Sequence, residues 1–135
     1  ARTDALEPEG LDSAIRRANL SREAGADMTF VEALESVEQM RRVTSGTQGP
    51  HMANMIPGGK TPLLPLEELQ SMGYKVVAYP TVNTYAVARA TQEVFDYLAE
   101  KGTIEGMGHR LMEFDEFNDL VGLPRIRELE RRYSN

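Results

Sequence analysis

Cysteine is absent from this 135-residue chain. That excludes disulfides and thiolate metal sites, and it is compatible with a reducing compartment. Long hydrophobic runs are absent as well: none approaches the ~20 residues that cross a bilayer, and the N-terminus shows no charged-then-apolar leader pattern. Excess positive charge is also missing. Against 21 Asp and Glu there are 15 Lys and Arg, a net charge of -6, whereas generic nucleic-acid binding needs a basic surface. The expectation is therefore a soluble, cytoplasmic protein with no nucleic-acid and no membrane partner. What is present is ordinary globular composition, 41% hydrophobic and 27% charged, at a length suited to one domain with a real core. The chain opens Ala1-Arg2-Thr3-Asp4-Ala5 without Met. This reads as the end of a strand whose beginning is missing, so a processed, truncated or partial chain is expected.

The stretch Ala53-Asn54-Met55-Ile56-Pro57-Gly58-Gly59-Lys60-Thr61-Pro62 is the most distinctive. A short apolar run ends in an amide, enters a Pro/Gly-rich loop with one lysine and stops at Thr-Pro. Pro and Gly set special backbone angles, so this is a built loop at a strand end, where α/β proteins bind ligands.

Along the chain, Leu11, Ala14, Ile15 and Ala18 have helical spacing and predict a helix over 10–23, with Asp12 or Ser13 as its cap and Gly25 as its stop. A strand is predicted over 28–31 and a helix over 36–43. A strand over 52–55 and a helix over 66–72, with Pro65 in its first turn, come next. Then follow a strand over 74–79, a long helix over 82–101 closed by Gly102, and tail helices over 114–121 and 124–133, the last anchored by Ile126 and Leu129. Strands alternating with helices through short loops mean βαβ units and a parallel sheet. The strand-to-strand spacing is short for a doubly wound dinucleotide fold and suits a (β/α) barrel. About four strands, however, make half of a barrel's eight. The expected architecture is α/β, a half (β/α)8 barrel over 1–101 followed by a helical tail over 102–135 that supplies oligomer contacts. A half barrel leaves two sheet edges open to association.

Barrel strands point their C-terminal ends at one site. Read off in order, those ends carry Arg2 with Asp4, Glu32, Asn54 and the segment 79–81. Arg grips a carboxylate bidentately, carboxylates hold divalent metals directly or through water, and an amide steadies an oxyanion. Each has a plainer alternative. Arg2 is equally a terminal surface residue, Glu32 a cap for the next helix, and Asn54 a partner for loop backbone. Gly58-Gly59-Lys60 suggests a phosphate loop only superficially, because the full Gly-Lys-Ser/Thr pattern is absent. His51, at a strand start, reads as structural, and His109, in a Gly-rich tail, as solvent-facing. Neither has partners at metal-ligand spacing.

Ala1-Arg2-Thr3-Asp4-Ala5, Arg22-Glu23-Ala24-Gly25-Ala26-Asp27, Phe30-Val31-Glu32-Ala33 and the 53–62 loop together resemble the isocitrate lyase/phosphoenolpyruvate mutase superfamily. Residues 114–123 are similar to that family's C-terminal helices, so the resemblance runs the whole chain in order and matches the C-terminal half of the family's barrel. It implies Mg-dependent retro-aldol or retro-Claisen cleavage of a small 2-hydroxy or 2-oxo dicarboxylate, such as oxaloacetate or dimethylmalate, through an enolate. Some members rearrange P–C bonds instead. Carried over by position, Arg2 binds a substrate carboxylate. Glu32 lies near the metal's waters, and Asn54 with the backbone of Met55 and Ile56 contacts substrate. Thr81 sits where specificity is tuned. The family's metal-binding aspartates and its mobile catalytic loop precede the matched segment, so no catalytic residue is assigned in this chain. Tyr85 stands where methylisocitrate-cleaving members carry a second substrate Arg, which disfavours a tricarboxylate. Two readings follow: half of a Mg-dependent C–C lyase or hydrolase, with a phosphonate mutase as its chemical variant, or a catalytically incomplete half barrel that associates through its sheet edges and C-terminal helices as a structural homo-oligomer.

Overall fold

A computed structural model of the chain describes residues 1–134. Its strands are β1 (Arg2–Thr3), β2 (Phe30–Val31), β3 (His51–Asn54) and β4 (Tyr74–Ala78). Between them lie α1 (Leu6–Glu9), α2 (Leu11–Glu23), α3 (Val37–Gly46) and α4 (Leu66–Ser71), and after them come α5 (Val82–Lys101), a 3-10 turn (Gly108–Arg110), α6 (Phe114–Leu120) and α7 (Leu123–Tyr133). The chain divides into two units, Ala1–Ala86 and Val87–Asn135, with the division inside α5.

In the first unit β1 pairs parallel with β2 and β3 parallel with β4. A parallel bridge between Thr29 and His51 joins the two pairs into the order β1-β2-β3-β4. The strand–helix alternation read from the sequence is thus a four-stranded parallel array. Side chains alternate across a strand, and the two faces of this sheet differ sharply. Val31, Ala53, His51 and Tyr74 face one way and are each at most 6% exposed. They pack with Ala14 and Ala18 of α2, Met40 and Val43 of α3 and Leu69 of α4 into the core. Arg2, Phe30, Met52, Asn54, Val76 and Ala78 share the other face, paired Arg2 with Phe30, Met52 with Val76 and Asn54 with Ala78. All of these are half-buried or exposed. Among the described residues, no further strand pairs with the outer edges of β1 or β4.

Local signals explain most boundaries and correct several expectations. Ser36 caps α3, its Oγ accepting the Gln39 N–H at 3.1 Å, the standard use of a hydroxyl before a first turn. Neither Asp12 nor Ser13 caps α2. Gly10 holds that position with φ of 82°, and Ser13 is buried, donating to Glu9 at 2.5 Å. α1 escaped the periodicity argument because Pro8 interrupts it, although Pro is tolerated in a helix's first turn. Asn19 ties α2 to α3: its amide donates to the Gly46 carbonyl at 2.9 Å and accepts from Gln48 N–H at 3.0 Å.

In the second unit Tyr97 donates to the Glu105 carbonyl at 2.6 Å, and Arg110 pairs with Glu93 at 2.5 Å. Met107 is its buried residue, while Phe114, Phe117, Leu120 and Tyr133 are more than half exposed. Ile126, expected to anchor α7, is itself 50% exposed.

Candidate functional site

The carboxyl ends of β1, β2 and β3 bring Arg2, Glu32 and Asn54 together. Arg2 Nη2 lies 2.7 Å from Asp4 Oδ1 and 3.6 Å from Glu32 Oε2. Its Nε donates to Asp4 Oδ2 at 3.1 Å, and its guanidinium stacks over the Phe30 ring at 5.3 Å. The Asp4 hydrogen bond raises the Arg2 pKa, and the same bond holds the Asp4 carboxyl below its usual range. Both groups are solvent-exposed, so the pair orients the guanidinium more than it stabilises the fold. Asn54 Nδ2 approaches Glu32 Oε2 at 3.5 Å. Contacts of 3.5–3.6 Å are loose for hydrogen bonds.

Directly after Glu32 the chain turns through Ala33, whose φ of 61° is left-handed. For a residue with a Cβ this costs roughly 1–2 kcal/mol, and such strain clusters at ligand sites. The helix-cap alternative for Glu32 fails, because Ser36 fills that role. A cavity of about 220 Å³ opens beside Glu32, Asn54 and Ile56 and is closed by Gly59, Lys60 and Glu7. Gly58 has φ of 77°, and a Cβ on Gly59 would meet the Ile56 carbonyl oxygen at 3.1 Å. Both glycines are therefore needed to fold this loop over the cavity. Lys60 Nζ pairs with Glu7 Oε2 at 3.2 Å, joining the loop after β3 to α1.

Of the expected residues Glu32, Asn54 and Ile56 line the cavity, while Arg2, Met55 and Thr81 do not. The Met55 side chain is fully buried in the core, and its N–H is spent on the Ala78 carbonyl at 2.8 Å. Thr81 does not line it. Its hydroxyl is buried without a hydrogen-bond partner, and its carbonyl accepts the Tyr85 N–H at 2.8 Å. Sequence reasoning missed Glu7, hidden in the unrecognised α1, and Ala33, whose backbone angle has no signature in its side chain. Lys60, whose loop resembles a phosphate loop only superficially, lies at the cavity and pairs with Glu7.

Among the described residues no three His, Asp or Glu side chains gather as a metal cage. Asp4 and Glu32 both face the Arg2 cation. These residues alone do not fit a directly bound Mg ion, which takes several oxygen ligands.

At the opposite end of the sheet His51 is 4% exposed, with Nδ1 3.1 Å from Thr29 Oγ1 and 3.2 Å from Thr47 Oγ1. Burial depresses its pKa, which keeps the ring neutral. Tyr74 packs edge-on against it, and burial pushes the Tyr74 phenol up to about 12. This end is structural, as the strand-start position of His51 implies, and His109 is exposed.

A parallel βα array with polar groups from separate strands gathered at its carboxyl ends defines one half of a (β/α) barrel. A family model described as phosphoenolpyruvate phosphomutase matches residues 1–99, and the chain belongs to this family, within the isocitrate lyase/PEP mutase superfamily. It is 46% identical to the petal death protein of Dianthus caryophyllus over 135 residues, covering 100% of this chain and 42% of that one. To 2,3-dimethylmalate lyase of Eubacterium barkeri it is 41% identical over 134 residues, covering 99% and 46%. Oxaloacetate acetylhydrolase in complex with the product oxalate superposes with a TM-score of 0.88 at 26% identity, covering 100% of this chain and 46% of that one. Phosphonopyruvate hydrolase in complex with oxalate and Mg superposes with a TM-score of 0.86 at 25% identity, covering 100% and 48%. The chain therefore spans under half the length of the proteins it matches, and it corresponds to the C-terminal half of their barrel. The activities named among these relatives are those of a lyase of 2,3-dimethylmalate and of hydrolases of oxaloacetate and phosphonopyruvate.

Proposed function

We propose that residues 1–101 form the C-terminal half of an active site that cleaves a C–C bond in a small 2-hydroxy or 2-oxo dicarboxylate of oxaloacetate or dimethylmalate type. The observation that carries this is the approach of Arg2 and Asn54, from two strands, to the Glu32 carboxylate at the end of a third, at 3.6 and 3.5 Å. Arg2, already oriented by Asp4 and Phe30, grips one substrate carboxylate bidentately. Asn54 donates to a substrate oxygen, with the backbone of Met55 and Ile56 beside it. In this reading Mg would polarise a substrate oxygen, its direct ligands would come from outside residues 1–101, and Glu32 would meet it through water. Residues 102–135 make oligomer contacts, and the protein works in the cytoplasm. A phosphonate would engage Arg2 and Asn54 equally well, and the family model's name favours keeping P–C chemistry as the second reading.

The test is calorimetric titration of the 135-residue chain with oxalate, followed by Mg-dependent cleavage assays on oxaloacetate, dimethylmalate and phosphonopyruvate. Oxalate binding lost on Arg2→Ala is the expected result. No binding of oxalate by the unaltered chain would overturn the assignment of the mouth, and turnover of phosphonopyruvate alone would select the second reading.

A further inference from the structure

The cavity at the strand ends has a neighbour. A second cavity of about 380 Å³ lies beside it, floored by Leu6 and Leu11 and rimmed by Glu35 and Gln39. Three residues line both cavities: Glu7 from α1, Ala33 from the turn after β2, and Lys60 from the loop after β3. Together they form the partition, and all of them belong to the first unit. Ala33 is its fixed part, a methyl group on a left-handed turn with no side-chain torsion to swing. Glu7 and Lys60 are its movable part. Their charged ends meet at 3.2 Å, and their side chains are 76% and 49% exposed. An ion pair this open to water is weakly held and screened by salt.

The two cavities differ in character. The inner one, of about 220 Å³, carries the Glu32 carboxylate and the Asn54 amide. Its volume falls below the roughly 300–1,000 Å³ of ordinary small-molecule sites, so it suits a compact polar ligand. In the outer one Leu6 and Leu11 are half-buried and pack against the core, an apolar floor suited to an alkyl group. With the partition open, the two become one space of ordinary size.

We propose that Glu7 and Lys60 set the size of the diacid, as a salt-bridged wall between the polar cavity and an apolar annex. The proposal rests on the diacid reading of the mouth given above. Closed, the pair confines the ligand to a small diacid. Parted, it admits a diacid whose alkyl branch lies along Leu6 and Leu11. Both are specificity residues, acting on what fits rather than on the bond that breaks.

The probes are malonate and butylmalonate, two dianions that differ by an alkyl branch, titrated calorimetrically into the 135-residue chain. Because their charge is the same, the ratio of their affinities reports size. The unaltered chain should prefer malonate by about tenfold or more, the scale on which a pocket rejects extra methylenes. Glu7→Ala and Lys60→Ala, each checked by circular dichroism, should remove most of that preference. The exchanged pair, Glu7→Lys with Lys60→Glu, should restore it. A second arm needs no folded variant: raising salt should weaken the preference of the unaltered chain. Malonate bound with a preference that neither alanine variant nor salt moves overturns the wall. An exchanged pair as permissive as the alanine variants overturns the role of the ion pair. Arg2→Ala separates the two levels. Malonate binding that is absent, or indifferent to Arg2→Ala, overturns the diacid site itself and the wall with it.

Discussion

At the start of β3, His51 is 4% exposed and sits between two threonine hydroxyls at 3.1 and 3.2 Å. At its end, Asn54 is half-buried and its amide lies 3.5 Å from the Glu32 carboxylate. One four-residue strand thus carries a satisfied, neutral ring at one end and an under-used amide at the other. The difference is the division of labour in a (β/α) barrel, where stability resides at the amino ends of the strands and chemistry at the carboxyl ends.

Substitutions at the two ends should separate cleanly in urea denaturation. The largest loss is expected next door to the mouth, at Met55, because its side chain is wholly in the core. Met55→Ala should cost about 2–5 kcal/mol. A cost near zero would show that Met55 faces the cavity after all. His51→Ala should cost about 1–3 kcal/mol, since the Thr29 and Thr47 hydroxyls lose a buried partner. His51 also sets a pH signature. Its folded-state pKa lies below the ordinary 6.5, so the unfolded chain takes up the proton first. Stability should be flat above that pH with respect to this group, decline as pH falls below it, and level off below the depressed folded value. His51→Gln should remove that component, and an unchanged acid slope would assign it to other groups.

Smaller effects sharpen the same contrast. The Tyr74 hydroxyl is buried without a partner, so Tyr74→Phe should be neutral or stabilising by up to about 1 kcal/mol. A clear loss would reveal a hydrogen bond there. Asn54→Ala should shift stability by less than about 0.5 kcal/mol while weakening oxalate binding. Equal losses in both would make Asn54 a structural residue.

Much of this contrast was legible in the residues. Strand order and parallel pairing followed from short apolar segments alternating with helical spacing, and the strand-end rule picked out Arg2, Glu32 and Asn54 together. The loop needed Gly58 and Gly59, as its composition implied. What stayed hidden depends on three-dimensional position. Which of Asn54, Met55 and Ile56 faces the cavity is decided by the pleat and by the Met55–Ala78 hydrogen bond, not by residue type. Glu7 became a candidate only once α1 had placed it against Lys60. Thr81 was selected by position in the chain, yet its hydroxyl is buried away from the cavity.

The most direct measurement is the map of backbone amide shifts in the 135-residue chain as oxalate is added. Shifts concentrated at residues 2–4, 32–33 and 54–60, with Thr29, Thr47 and His51 unmoved, are the predicted result. Shifts centred on the His51 end, or none at all, would contradict the placement of the site at the carboxyl ends of the strands.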